Sequence, residues 1–187
     1  MNDFLKLVQY RQSDRAFDSS RPVEKEKIDR ILEAVRLSPS ACNAQPWHFI
    51  IVDNPELKDK VADATSTRIL GLNHFTKQAP LHIVVVEEKS NISSGFGGWV
   101  KEKHFPHIDI GIAAAHLCLA AEAEGLGTCI LGWFNEDKIK KILNIPASKR
   151  VLLDIIVGYS VQDKKDKKRK ELEEIISYNR YGSHLID

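Results

Sequence analysis

Residues 108–134 read IDIGIAAAHLCLAAEAEGLGTCILGWF. From Ile108 to Glu124 the pattern is that of an apolar helix. Gly125 stops it, as a glycine just past a helix end does. The most apolar part, Ile110 to Ala121, has His116 in its middle and Glu122 at its close. It falls short of the ~18 apolar residues that a membrane span needs. It therefore reads as a buried helix or a subunit interface. Thr128 to Leu131 follows as a short strand.

Working outward, Leu81 to Glu87 (LHIVVVE) is a nearly continuous β-branched run, the signature of a central strand covered on both faces. His48 to Val52 and Val151 to Val157 read as further strands. Helical spacing marks Phe4, Leu5, Leu7 and Val8. It recurs after Pro22, where Ile28, Ile31, Leu32 and Val35 form an apolar stripe. Pro55 and Glu56 open a helix toward Thr65, and Asn135 is an N-cap for one through Leu143. Ser90 to Lys103 is a long excursion rich in Ser, Gly and charge, and the tail from Asp163 is charged. Strands separated by helices indicate a helix-covered sheet, α/β or α+β. At 187 residues, the chain is expected to form one domain over 1–187.

Composition narrows the function. With 27 Lys plus Arg against 26 Asp plus Glu, the net charge is +1. Nucleic-acid binders are usually far more basic, so none is expected as a partner. The N-terminus has no uninterrupted apolar core of a secretory signal, and no membrane segment is expected. Cys42, Cys118 and Cys129 are an odd count without a CxxC pair, which suits a reduced, cytoplasmic setting and gives no zinc framework. The 7 histidines show no HExxH spacing, so no metal site is expected. Gly125-Leu126-Gly127 begins a dinucleotide fingerprint but precedes a strand instead of following one. Trp133 stands where a phosphate loop has lysine, and Gly158-Tyr159-Ser160 lacks the closing glycine of a nucleophile elbow. An enzyme with such side chains needs a cofactor for the hard step.

Three clusters remain. In Arg11-Gln12-Ser13-Asp14-Arg15, two arginines four apart fall on one side of a helical turn with Ser13 between them, a patch suited to phosphate. The alternative is a solvated helix end with Asp14 as partner. Pro39-Ser40-Ala41-Cys42-Asn43-Ala44-Gln45-Pro46-Trp47 packs amides and a hydroxyl between prolines. It can read the edge of a polar heterocycle or merely satisfy its own backbone. Lys164, Lys165, Lys167, Lys168, Arg169 and Lys170 form a basic run, either a solvated arm or part of a site.

Taken in order, RQSDRAF (11–17), VEKEKIDRILEAVRLSPSACNAQPWHFIIV (23–52), APLHIVVV (79–86), residues 108–134, VGY (157–159) and KKRKELEEIISYNRYG (167–182) resemble the FMN-dependent nitroreductase family over nearly the whole chain. The resemblance implies an α+β fold with a central mixed sheet flanked by helices, in an intertwined homodimer. Its two FMN sites would lie at the interface, each built from both chains, with helix 108–124 central to the dimer. Arg11 and Arg15 would contact the FMN phosphate and ribityl chain, with Gln12 and Ser13 beside them. Pro39, Ser40, Ala41 and Asn43 would come from the partner subunit, and Gln45 would hold that loop together. Cys129, Ile130, Leu131 and Gly132 would run along the isoalloxazine, and Lys167 and Arg169 would match a late basic pair at the phosphate. Asn73 is a further pocket candidate. Residues 90–103 would be a variable region over the substrate pocket, where Phe96 and Trp99 could stack on a flat acceptor.

The implied activity is oxidation of NAD(P)H and reduction of nitroaromatics, quinones or related acceptors by a ping-pong hydride transfer through flavin N5. No protein residue is assigned as catalytic. The rivals are a specialised reaction such as reductive dehalogenation, a flavin-binding protein or redox sensor without turnover, and a plain α/β domain with solvated basic patches.

Overall fold

In the computed structural model, which describes residues 2–66, 72–89 and 104–183, the element order follows the hydropathy pattern. It runs α1 (Asp3–Tyr10), α2 (Lys25–Arg36), β1 (Trp47–Val52), α3 (Pro55–Thr65), β2 (Leu81–Glu87), α4 (Phe105–Ala123), β3 (Gly127–Leu131), α5 (Glu136–Ile142), β4 (Arg150–Gly158) and α6 (Leu172–Ile175). Short 3₁₀ turns lie at Ala41–Asn43 and Thr76–Gln78. The N-caps follow side-chain chemistry. Asn54 accepts the Leu57 N–H with Pro55 in the first turn of α3, and Asn135 accepts the Lys138 N–H at the start of α5. Helix α2 starts three residues beyond Pro22, with Glu24 at its N-cap.

The four strands form one sheet in the order β1-β2-β4-β3. All three ladders are antiparallel, and the parallel element expected of a mixed sheet is reduced to an isolated bridge, Ser13–Thr128. Strand β2 is central and its side chains alternate between two layers. Leu81, Ile83 and Val85 pack with Ile31 and Val35 of α2 and Leu117 and Ala121 of α4. Val84 and Val86 pack with Val61 of α3 and Ile139 of α5. Truncating a side chain as buried as Leu117 to alanine costs about 2–5 kcal/mol. The sheet is thus helix-covered on both faces, an α+β arrangement. Among the described residues no helix is long and apolar enough to cross a membrane.

Two features of the packing position the site. Strand β3 is an edge strand, so one side of its backbone lacks a ladder partner. Helix α4 buries one side against α2 and β3 but leaves Ile108, Gly111, Ala115 and His116 exposed, with Ile112 and Leu119 half-buried. An apolar stripe at i, i+3, i+4, i+7 and i+11 is left uncovered within one chain. Ile108 keeps 52% of its surface accessible. Helix α1 buries no side chain, and Phe4, Leu5, Val8 and Tyr10 are all exposed.

Candidate functional site

Helix α1 ends at Tyr10, and the 11–15 segment is extended instead of helical. Ser13 bridges Thr128 in parallel, and the Asp14 N–H donates to the Thr128 carbonyl at 2.8 Å. In extended chain the side-chain period is two, so Arg11, Ser13 and Arg15 still share a side. Their grouping survives through a different geometry. Gln12 and Asp14 take the opposite side. Asp14 is fully buried, and its Oδ1 accepts from Gln12 Nε2 at 2.9 Å and Ser160 Oγ at 2.7 Å. Gln12 also donates to the Asp163 carbonyl and accepts the Lys165 N–H at 3.1 Å. It thereby clamps the start of the basic tail onto this segment.

That clamp brings distant cations together. Lys164 pairs with Glu122 at the end of α4 at 2.8 Å, and Lys167 donates to the Val8 carbonyl. Burial, then the charges of Arg11 and Arg169, push the Lys167 ammonium below the ordinary lysine range, with Lys164 adding to them and Glu122 opposing. Among the described residues, none of Arg11, Arg15, Lys167 and Arg169 takes part in a salt bridge. A cleft of ≈ 420 Å³ lined by Gln9, Tyr10, Lys164, Lys165, Asp166 and Lys167 opens here. Cations that outnumber the carboxylates beside them, Asp166 and Glu122, and that include Arg11, Lys167 and Arg169 outside any salt bridge among the described residues, are a donor set suited to a phosphate dianion.

Beside this patch runs the free edge of β3. The Thr128 carbonyl faces the 11–15 segment, so by the alternation of strand backbone the Ile130 N–H and C=O face the same open edge. Cys129 and Leu131 turn their side chains into a core cluster with Phe17, Phe75 and Ile156. Ile130 is exposed, and a Cβ at Gly132 would meet nothing within 4 Å. Burial raises the Cys129 thiol although Arg15 opposes it, and burial raises Cys118 against Thr128 and Arg11. Neither is a thiolate nucleophile. Any ligand along 129–132 would therefore meet backbone, the Ile130 side chain and the open space at Gly132.

The loop following α2 is strained and internally tied. Cys42, Asn43 and Gln45 adopt positive φ of 51°, 53° and 47°, a region that costs non-glycine residues on the order of 1 kcal/mol or more each. Gln45 Nε2 donates to the Asn43 carbonyl and Oδ1, and the Gln45 N–H donates to Ser40 Oγ at 3.0 Å. Pro39 and Asn43 are exposed, and Ser40 and Ala41 half-buried. The Ala41 N–H donates to Asp109 Oδ1 of α4 at 3.1 Å. Asp109 is 3% exposed, and its Oδ2 has no hydrogen-bond partner among the described residues.

The motifs of the sequence do not point to Asp109, although an acid at the head of so apolar a helix is a signal. It also sets a distance. Asp109 and Glu122 are thirteen residues apart on α4, about 20 Å at ~1.5 Å per residue. The loop thus attaches near the N-terminal end of α4 and the basic patch near its C-terminal end. Asn73 lies elsewhere. Its Nδ2 donates to the Thr65 and Trp133 carbonyls at 3.1 and 3.3 Å, bracing the turn after Gly132. Phe96, Trp99 and the 90–103 region lie outside the described residues.

The profile described as Nitroreductase family matches residues 8–72 and 66–159. A relative from Archaeoglobus fulgidus with NAD(P)H nitroreductase in its name is 31% identical over 170 residues, covering 89% of this chain and 90% of its own. Iodotyrosine deiodinase 1 of Rattus norvegicus is 26% identical over 198 residues, covering 93% of this chain and 68% of its own. Among solved structures, an FMN-dependent nitroreductase from Clostridium difficile R20291 superposes with a TM-score of 0.78 at 27% identity, covering 95% and 99% of the two chains.

Proposed function

Since this chain belongs to the nitroreductase family, we propose that it is an FMN-dependent oxidoreductase that oxidises NAD(P)H and reduces nitroaromatics, quinones or related small acceptors, working as a homodimer. The observation that carries this reading is the basic patch of Arg11, Lys167 and Arg169, none of them salt-bridged to an acid among the described residues, at the free edge of β3. An FMN phosphate carries about −1.5 to −2 charge near neutral pH and would be held there by charge-assisted contacts. Ser13 and Arg15, on the same side of the extended segment, are positioned for the ribityl chain. The Ile130 N–H at the open edge is a donor for the ring.

The positions of the two halves of the site support the dimer. An isologous two-fold pairing through the uncovered face of α4 sets the Asp109 end of one helix against the Glu122 end of the other. Pro39, Ser40, Ala41 and Asn43 of one copy then approach the basic patch of the second. Gln45 and Asp109 hold that loop in its strained shape. Bound FMN would supply hydride acceptance from NAD(P)H and donation to the acceptor at N5. The protein's own work is to orient the ring, neutralise the phosphate and keep one ring face open. Bulk water delivers protons, because no acid or base side chain is assigned to the step. The three free cysteines fit a cytoplasmic setting, where NAD(P)H is supplied.

A second reading, reductive dehalogenation on the same scaffold, is favoured by the similarity to iodotyrosine deiodinase 1 across 93% of this chain. An acceptor panel separates the two. Protein reduced anaerobically is mixed with a nitroaromatic, a quinone and an iodinated phenol. Rapid reoxidation by the first two supports the main reading, and iodide release from the third alone supports the second.

A further inference from the structure

The C-terminal end of β2 and the first turn of α4 bring one carboxylate and two imidazoles together. Glu87 Oε1 lies 2.6 Å from His104 Nε2, and Glu87 Oε2 lies 3.8 Å from His107 Nε2. The two imidazole centroids are 3.9 Å apart at 71°. One ligand atom from each residue lies within 4.8 Å of the others. None of the three has a role in the FMN site described above. We infer that Glu87, His104 and His107 form a binding site for a first-row divalent transition cation, with zinc as the representative ion.

Zinc bonds to imidazole nitrogen and carboxylate oxygen at about 2.0–2.1 Å, so a tetrahedral ion separates its ligand atoms by roughly 3.3 Å. The observed separations, 2.6 Å from Glu87 Oε1 to His104 Nε2 and 3.8 Å from Glu87 Oε2 to His107 Nε2, lie on either side of that value, and the limit of 4.8 Å among the three ligand atoms leaves side-chain rotation to close the site. His104 and His107 side chains keep 56% and 54% of their surface accessible, which gives an entry path and leaves the fourth position to water. Imidazole donors select against calcium and magnesium, which prefer all-oxygen shells. The neighbouring cations are committed elsewhere. Arg150, opposite Glu87 in the β2–β4 ladder, is bonded to Glu136, and Lys149 is paired with Glu88. Sequence spacing hides the set, because Glu87 precedes His104 by seventeen residues. An ion here would link β2 to α4, the two elements against which the loop 39–46 is fastened through the Glu88 N–H to the Pro46 carbonyl and through Asp109 to Ala41.

The test is a calorimetric titration with Zn²⁺ alone on protein stripped with EDTA and desalted, run with and without added FMN. The flavin reading and this one can therefore fail separately. Cys42→Ser protein is titrated in parallel, because the exposed Cys42 thiol can also take zinc. The expected result is one Zn²⁺ per chain in both proteins, with affinity falling at least tenfold in His104→Ala, His107→Ala and Glu87→Gln. Even changes behind the ligands of metal sites cost about 10–100-fold. Both histidines are surface residues, and circular dichroism confirms that each variant is folded. Zinc uptake that is absent, or undiminished in the His104→Ala/His107→Ala double variant, overturns the proposal.

Discussion

The buried Asp109 carboxylate accepts the Ala41 N–H at 3.1 Å, joining α4 to a loop with three left-handed non-glycine residues. Few bonds offset the strain of the loop, and this one ties it to α4. Removing the acceptor in Asp109→Ala should release the loop. A hydrogen bond to a charged group contributes about 1.5–3 kcal/mol, so FMN affinity should fall by roughly 10–100-fold. Fluorescence of released flavin measures it. Asp109→Asn, which keeps an acceptor oxygen, should retain most of the affinity.

Lys167 gives a pH signature. Its folded-state pKa lies below 10.5, held down by burial and by Arg11 and Arg169. A lysine with a depressed folded pKa costs the empty protein stability while it is charged, and that cost fades as pH rises past the folded value. A bound phosphate dianion reverses the preference. FMN affinity should therefore decline as pH rises through a value below 10.5, with proton uptake on binding in that range. In Lys167→Arg the alkaline decline should vanish, because guanidinium stays protonated. A flat profile in the unaltered protein would remove Lys167 from the phosphate site.

The uncovered face of α4 makes a size prediction. Replacing Ile112 with Glu places a charge in the middle of the apolar stripe. Sedimentation should then show a monomer in place of a dimer, and flavin retention should be lost with it. A dimer that withstands both Ile112→Glu and Ala115→Arg would move the interface elsewhere.

Glu136 ties α5 to β4. Burial raises its carboxyl, but donors from Arg150, Lys140 and the Val151 N–H outweigh burial and bring it from 4.5 to about 2. Its folded value is depressed, so the stabilisation is present above pH 4.5 and is lost as pH falls toward 2. Linkage puts it at up to about 3 kcal/mol. Denaturant unfolding should show Glu136→Gln less stable near neutral pH, with the difference shrinking toward pH 3.

Much of this architecture was legible in residue patterns. The β-branched run 81–87 marked the central strand, the apolar run 108–124 marked a helix, and Asn135 marked an N-cap. Local conformation was harder where tertiary pairing decides it. Arg11 and Arg15 share a side under both helical and extended periods, so spacing alone could not tell that Ser13 pairs with Thr128. The antiparallel ladders depend on how connections run, which hydropathy does not encode. Asp109 and the Glu87–His104–His107 cluster act through partners distant in sequence, so their roles emerge only once the chain is folded.

The central claim is that this chain uses FMN to oxidise NAD(P)H. It is tested most directly by loading the purified protein with FMN, removing free flavin and adding NADH or NADPH under anaerobic conditions while recording the visible spectrum. The account predicts one FMN retained per chain and bleaching of the oxidised flavin band by at least one of the two donors. Protein that stays colourless after loading, or a bound flavin that neither donor bleaches, would contradict it.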